Sequence, residues 1–431
     1  MLNLPATFAR SGVIPTIATL IFVCILSSMC SIYMASTISK IPNNGNFKRE
    51  VEFSEAFRSY WGDRWYYISQ ALFLCCISCL NVSSIVDTAQ VVDTFLGHWW
   101  PGGGSAAVLL GGTECTFLPA DALPLDPIQW LRWDYSICSE EDLKGGFCLP
   151  FQQCDGLVIL TAGNLATILI FLPLALMDLK ENSWWQVVGF LVLIVTSIQF
   201  VIQFSMFELH PSYLTMWGDD WGDLLGVVLF NFALVIAIPA WLYEKEPSVD
   251  VPTVIYGSNI MSFFLYVALG LLGCMCMPNV SENMLESMMS GVFGTALQLG
   301  ASIFAFAIIG LGIPLFSVLS RLNLTGSGLC SNATANLLAV YLPFLVSLLL
   351  SSGEAVAALL GWGGTIFTSL VAFILPLALS LHVVKNCNQI GSVALFFVGD
   401  CGKEAQVRIL QVLLCLAICA ICFAIIGNVI G

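Results

Sequence analysis

The stretch Asp223–Pro247 reads DLLGVVLFNFALVIAIPAWLYEKEP, and it decides the fold class of the chain. Its middle, Leu224–Tyr243, runs for 20 residues without a charge. A helix that rises about 1.5 Å per residue needs about 20 apolar residues to cross the hydrocarbon core of a bilayer. The stretch therefore predicts a transmembrane helix. Near its centre Asn231 lies between Phe230 and Phe232, and such an amide either joins two helices or faces a binding cavity.

The composition extends this prediction to the whole chain. Of its 431 residues, 58% are hydrophobic and 10% are charged, and the mean hydropathy is +0.90. Such a chain has too little polar surface to cover a soluble globule, so lipid must be the solvent for most of it. We predict an all-α polytopic membrane protein with a single transmembrane domain over residues 1–431. The lipid bilayer is its expected partner, and nucleic acid is not.

Eleven apolar segments are predicted to enter the membrane. The first, at residues 2–11, is too short to span it. One loop, at residues 98–155, is far longer than an ordinary connection. The predicted spans are 12–38, 65–86, 157–177, 184–206, 224–243, 253–275, 292–319, 336–350, 356–381 and 407–430.

Basic residues predict the orientation of these spans. The densest basic loop lies at residues 40–64, and the positive-inside rule assigns it to the cytosol. Alternating sides from this loop places eleven of the 14 lysines and arginines inside. The exceptions are Arg10, Arg132 and Lys144. The long loop then lies on the outer or lumenal face of a plasma membrane or a vacuolar or lysosomal membrane.

Features of an oxidising compartment fall on that outer face. The long loop holds four cysteines, namely Cys115, Cys138, Cys148 and Cys154. One or two disulfides are therefore expected, and three pairings are possible. The spacing of these cysteines fits no zinc site, so no metal is expected. Asn279 begins a glycosylation sequon in an outer loop, whereas the sequons at Asn323 and Asn332 fall inside and should stay unmodified.

Motifs of soluble enzymes are missing from the sequence. It contains no Walker A loop, no GxSxG and no HExxH, and the triplet Gly102–Gly104 lacks the strand-turn-helix setting of a phosphate site. We therefore expect neither an enzyme nor a bound cofactor. The centres of the predicted spans also lack charged residues and histidine, and Asp87 near the outer end of the third helix comes closest. No intramembrane proton relay is visible in this pattern.

Several short motifs resemble a known family. Leu2-Asn3-Leu4-Pro5, followed by Ala6, Phe8 and Ser11-Gly12, resembles the LP-x-A-F-x-x-[AS]-G stretch in the first helix of the amino acid/auxin permease family. Further segments resemble the family's later helices in the same order along nearly the whole chain. They are Phe230-x-Phe232 with Pro239, Gly270-Leu271-Leu272-Gly273, Pro314, Leu342-Pro343, Gly361 to Gly364 and Phe373-Ile374-Leu375-Pro376.

The resemblance implies a fold and a function. The fold is that of the amino acid/polyamine/organocation superfamily, a leucine-transporter-like bundle of five plus five inverted helices with an eleventh helix. The function is secondary active transport of amino acids, with neutral ones expected, by alternating access and symport with a proton or sodium. Such proteins bind substrate where the first and sixth helices are broken. No glycine or proline lies next to Asn231 to break the helix there, so the break is implied by the resemblance alone.

The resemblance also assigns site residues. The implied substrate site comprises Leu2, Asn3, Leu4, Pro5, Phe230, Asn231, Phe232 and Ala233. Side chains on two other spans could line it. They are Asn81 and Ser84 on the third helix, and Thr295, Gln298 and Ser302, which share one face of the eighth helix and could bind the ion. Hydrogen bonding between helices is the alternative role for each of these five polar residues.

One departure from the family concerns the first helix. Family members carry a Gly-x-Gly element just before the leucine-proline stretch, and this sequence starts after that element. The first half of helix 1 is therefore expected to be missing. Either the sequence is truncated, or the protein has lost part of its site. In the second case it would be an amino acid sensor without transport activity or an inactive paralogue.

Overall fold

A computed structural model of the chain describes residues 2–99, 105–110, 128–133, 150–151, 158–222, 224–277, 284–326, 328, 330–350, 365–386 and 402–430. Within these ranges nine helices are long and apolar enough to cross a membrane. The prediction of a helical polytopic membrane protein is thereby confirmed. The nine helices are Val13–Ser39, Asp63–Trp99, Leu179–Met206, Leu224–Glu244, Val251–Cys276, Thr295–Thr325, Asn332–Leu350, Thr365–Asn386 and Lys403–Ile426.

Shorter elements complete the described fold. Ala162–Ala175 is an apolar helix of 14 residues, and it occupies the place of the predicted span 157–177. The other short helices are Leu4–Ser11, Phe53–Trp61 and Met284–Met289, with 3-10 turns at Gly45–Phe47 and Pro211–Tyr213. Three strands, Ser105–Leu110, Ile128–Trp133 and Val158–Thr161, form an antiparallel sheet in which the first strand is central.

The third span is longer than predicted. Its helix ends at Trp99, thirteen residues after the expected end at Val86. Beyond Val86 the helix carries Asp93, which lies outside the predicted span and is buried here. The Asp93 carboxylate accepts hydrogen bonds from Ser105 Oγ at 2.5 Å and from the Gly163 backbone N at 2.7 Å. These long-range partners satisfy the charged side chain and allow the helix to continue.

The long loop and the fourth span also differ from the prediction. Two of the three strands lie within residues 98–155, where the sequence suggested only an irregular connection. The fourth span begins as the strand Val158–Thr161, and its helix starts where Thr161 Oγ1 accepts from Asn164 N at 3.0 Å. The four disulfide candidates Cys115, Cys138, Cys148 and Cys154, and the glycosylation candidate Asn279, lie outside the described residues.

Proline positions explain the irregular turns inside three spans. A proline lacks the N–H of the helical ladder, and its ring clashes with the carbonyl four residues earlier. Pro343 and Pro376 each follow a π-helical turn by two residues, because the wider turn accommodates the ring. A third π-helical turn, Ala305–Ile309, precedes Pro314.

Gly12 separates the first short helix from the first long one. It has φ +88°, a conformation that residues with a side chain rarely adopt. A Cβ atom at Gly12 would also lie 2.5 Å from the backbone N of Gly218, so the two backbones are in direct contact. Val13 N donates to the Thr215 carbonyl at 2.9 Å in the same place. These contacts hold the connection between the fifth and sixth predicted helices, at residues 215–218, against Gly12 and Val13.

Candidate functional site

The span Leu224–Glu244 is interrupted near its centre. One helix runs from Leu224 to Asn231, a 3-10 turn covers Leu234–Ala237, and a second helix runs from Ile238 to Glu244. Phe232 and Ala233 lie between the two halves, outside the regular ladder. An interruption at this position is what the resemblance implied for the sixth helix, and we take it as the centre of the candidate site.

Pro239 gives a local reason for the interruption. Because it has no N–H, it cannot bond to the Val235 carbonyl as a continuous helix would require. The second half begins at Ile238, so Pro239 falls in its first turn, where no such bond is needed. At the end of the first half, Asn231 Nδ2 donates to the Val227 carbonyl at 2.7 Å. The Val227 carbonyl, four residues before Asn231, thus accepts a bond from the Asn231 side chain, which is a local alternative to the regular backbone ladder.

Two hydroxyl groups bind the carbonyls that the interruption frees. Ser27 Oγ donates to the Phe232 carbonyl at 2.6 Å, and the Tyr266 hydroxyl donates to the Asn231 carbonyl at 3.0 Å. Ser27 belongs to the span Val13–Ser39, and Tyr266 belongs to the span Val251–Cys276. A carbonyl left unpaired in a bilayer is costly, so these two contacts stabilise the irregular backbone.

The two phenylalanines beside Asn231 have different environments. Phe232 is 2% exposed, and its ring packs edge-on against Tyr266 with 5.2 Å between ring centroids. Phe230 is 41% exposed. Asn231 and Ala233 are half-buried. Phe232 therefore packs inside the bundle beside the interruption, whereas much of Phe230 is exposed.

The leucine-proline stretch packs close to this region. Leu4 and Phe8 belong to the same buried cluster as Phe232. Phe8 lies against Gly270, where a Cβ atom would be 2.5 Å from the ring. Pro5 lies against Gly273 in the same way, so these glycines allow the short helix to approach the span Val251–Cys276. Two of the motifs that resemble the family, the leucine-proline stretch and Gly270-Leu271-Leu272-Gly273, therefore pack against each other.

Leu2 and Asn3 precede this helix. The Leu2 carbonyl accepts from Met284 N at 3.1 Å, and the Leu2 side chain is buried. The Asn3 carbonyl accepts from the Thr7 backbone N at 3.2 Å and from Thr7 Oγ1 at 3.1 Å. Both carbonyls are therefore already bonded to protein groups. The Asn3 side chain is exposed.

Asn81 has unused hydrogen-bonding capacity in the middle of its span. Its Nδ2 donates to Ser317 Oγ at 2.9 Å, while its Oδ1 is buried without a partner among the described residues. An unpaired buried acceptor is uncommon in proteins and is a feature of sites that bind water, an ion or a ligand. Ser84, one turn further on, donates to the Leu80 carbonyl at 3.0 Å. Sequence analysis did not identify Ser317, because it lies 236 residues from Asn81.

The candidate ion residues on the eighth helix are not gathered around one point. Thr295 is exposed at the start of its helix, whereas Gln298 and Ser302 are buried. Gln298 Nε2 donates to the Met289 carbonyl at 3.0 Å, and Ser302 Oγ donates to the Gln298 carbonyl at 2.9 Å. The first contact binds the last carbonyl of the short helix Met284–Met289, and the second is a bond within the helix that begins at Thr295. Ion binding by the three residues remains a prediction.

A second buried polar cluster consists of residues that the sequence did not indicate to be in contact. The Ser54 hydroxyl hydrogen-bonds to the side-chain amides of Gln70 and Asn323, and all three residues are buried. These hydrogen bonds join the short helix Phe53–Trp61 to two long spans, Asp63–Trp99 and Thr295–Thr325. Gln70 inside an apolar span was a visible signal, but its partners come from distant parts of the chain. Asn323 begins one of the sequons that are expected to stay unmodified, and that expectation remains a prediction.

Among the described residues, no group of three or more histidine, cysteine or acidic side chains is arranged to hold a metal ion. The interruption instead offers backbone carbonyls and hydroxyl groups, which are suited to an ammonium group or a monovalent cation. In comparisons with known proteins, the chain matches no family model and no curated protein sequence.

Proposed function

We propose that this protein is a secondary active transporter of neutral amino acids. It would move its substrate by alternating access, coupled to a proton or sodium, within a five-plus-five inverted-repeat bundle of the amino acid/auxin permease type. The observation that carries the proposal is the interruption of the span Leu224–Glu244 at Phe232 and Ala233. Irregular backbone at membrane depth is tolerated only where protein or a cavity surrounds it, and in transporters it forms the substrate site.

The chemistry of the surrounding spans supports a substrate with no net charge. Two flanking spans, Val13–Ser39 and Val251–Cys276, contain no charged residue, and neither does Leu224–Tyr243. An isolated charge in such a setting would be strongly disfavoured. A zwitterion can balance its own charges, and its ammonium group can bond to the carbonyls of Asn231 and Phe232. The ring of Phe232 suits an apolar side chain.

Exchange of hydrogen bonds would make room for the substrate. Ser27 and Tyr266 now donate to the two carbonyls. An ammonium group carries three donors and can replace both hydroxyls. Rotation of the two hydroxyl side chains would then be the first response to substrate. Asn81 Oδ1 offers a further buried acceptor to a substrate or cation in the membrane interior.

Flux measurements test this proposal. The purified protein is reconstituted in vesicles, and uptake of each of the twenty radiolabelled amino acids is measured at two pH values, with and without sodium. We expect uptake of neutral amino acids, and Asn231→Ala should lower it at least about tenfold without changing the amount of folded protein. The exposed residue Asn386 serves as a matched control, because Asn386→Ala should leave uptake unchanged.

Three outcomes would contradict parts of the proposal. Unchanged uptake by Asn231→Ala would remove that residue from the site. Absence of flux for all twenty amino acids would contradict transport. Binding of an amino acid to purified protein without flux would instead support a sensor.

A further inference from the structure

A cavity of about 170 Å³ opens at the end of the bundle that carries the basic loop 40–64. The positive-inside rule assigns this end to the cytosol. Despite the basic loop, the cavity walls hold four carboxylates and a single cation. They are Glu50, Glu52, Asp178, Glu244 and Lys180.

Glu52 differs from the other three carboxylates in its burial. It is 3% exposed, whereas Glu50, Asp178 and Glu244 are exposed to solvent. The Glu52 carboxyl has no hydrogen bond or ion pair with any residue in the described ranges. Burial, and then the negative charges of Glu50 and Glu55, raise the pKa of Glu52 to about 8.

Among the described residues, none of the neighbouring cations forms an ion pair with Glu52. Arg49 forms an ion pair with Glu55. Arg321 hydrogen-bonds to the carbonyls of Leu176 and Met177 and lies 3.6 Å from Asp178. Lys180 is exposed. Tyr243 is the one further titratable group in the cavity wall. Glu52 therefore faces mainly like charges, which favour its neutral, protonated form.

Glu52 also lies at a junction between elements of the bundle. It immediately precedes the short helix Phe53–Trp61, and its side chain packs against the end of the helix Gly310–Thr325, near Gly326. Another wall of the cavity is formed by Ala240 and Glu244, from the second half of the interrupted helix. Glu52 therefore lines a cavity shared by the start of the short helix, the helix Gly310–Thr325 and the second half of the interrupted helix.

We propose that Glu52 is the proton-binding residue of a gate at this cytosolic end. With its carboxyl protonated, the short helix and the second half of the interrupted helix stay together. Opening exposes Glu52 to water, its O–H bond breaks, and the proton passes to cytosolic water while the electron pair stays on the carboxylate. The new charge beside three other carboxylates keeps the walls apart. This inference rests on the proposed transport function and names the proton as the ion that controls substrate release.

The direction of the pH effect follows from linkage. In the closed state the pKa of Glu52 is about 8, and a carboxyl exposed to water has a pKa of about 4.3. Between these values, opening releases about one proton. A rise in cytosolic pH therefore favours the open gate, by up to about tenfold for each pH unit in this range.

Two measurements test the gate without requiring flux. The infrared C=O band of a protonated carboxyl reports the proton on Glu52, and Glu52→Gln identifies the band. Spin labels on unnatural amino acids at Ser59 and Ser248, which are both exposed, report the distance between the two walls. We expect a band that disappears with a midpoint between about pH 4.3 and 8, and a longer label distance that becomes populated over the same range.

The variants make the outcome decisive. Glu52→Gln has the shape of the protonated form, so it should lack the band and stay at the short distance at every pH. Glu50→Gln removes a like charge but not the proton site, so it should keep both transitions at a lower midpoint. A midpoint at or below about pH 4.3, the value of a carboxyl exposed to water, or a label distance that does not change with pH in the wild type, would overturn the proposal. Absent flux with both transitions present would contradict transport alone.

Discussion

Replacing Ser27 by alanine tests whether the interruption of the sixth predicted helix depends on its partners. The Ser27 hydroxyl is fully buried and donates to the Phe232 carbonyl at 2.6 Å. Ser27→Ala removes one oxygen atom and leaves almost no cavity. The free-energy change therefore comes from the lost hydrogen bond and from the carbonyl that loses its donor.

The size of the effect follows from those two contributions. A net hydrogen bond contributes about 1 kcal/mol, and a buried carbonyl without a partner costs about 1–3 kcal/mol. Hydrogen bonds between membrane helices average about 0.6 kcal/mol and reach about 1.7 kcal/mol. Because the Phe232 carbonyl lies in an interrupted helix, we expect a value near the upper end. Ser27→Ala should lower the free energy of unfolding by about 1–2 kcal/mol.

The same helix supplies a matched control. Ser31 lies one turn after Ser27 and is equally buried, but its hydroxyl has no partner among the described residues. Ser31→Ala removes a buried polar atom that makes no bond, so it should leave stability unchanged or raise it. Denaturant titration in mixed micelles gives the free energy of unfolding for both variants. Equal losses in the two variants, or no loss for Ser27→Ala, would refute the role assigned to the Ser27 hydroxyl.

Two further predictions concern a backbone contact at Gly218 and the helix cap at Asp250. Gly218→Ala places a Cβ atom 1.9 Å from the Arg10 carbonyl, so it should lower the free energy of unfolding by about 1–3 kcal/mol or more in the same titration. Gly257→Ala serves as the control, because a Cβ atom there meets nothing within 4 Å and the change should be neutral or stabilising. Equal changes in the free energy of unfolding of the two variants would contradict the close contact at Gly218. Hydrogen bonds from Thr253 lower the pKa of Asp250, which caps the span Val251–Cys276. The first turn should therefore lose protection from hydrogen exchange as pH falls through that lowered pKa, and Asp250→Asn should remove this dependence.

The sequence alone determined that the chain crosses a membrane many times. Each of the ten predicted spans overlaps a helix of the structure, including the short one at Ala162–Ala175. Hydropathy predicts spans well because a helix in lipid satisfies its own backbone hydrogen bonds, so transfer into the bilayer depends on local residues alone. The restart of the sixth predicted helix at Pro239 also has a local cause, the missing N–H, although the break itself was expected from the resemblance alone.

Features that depend on distant partners were decided only by the tertiary structure. The third span continues to Trp99 because Ser105 and Gly163 satisfy Asp93. Ser317 was not identified as the partner of Asn81, and Glu52 gave no signal in sequence that distinguished it from neighbouring acids. Burial and hydrogen bonding are properties of groups that the fold brings together, and a pattern read along the chain contains neither. The physical reason is that lipid acts on each segment separately, whereas a polar group in the interior is stabilised only by the particular residues that surround it.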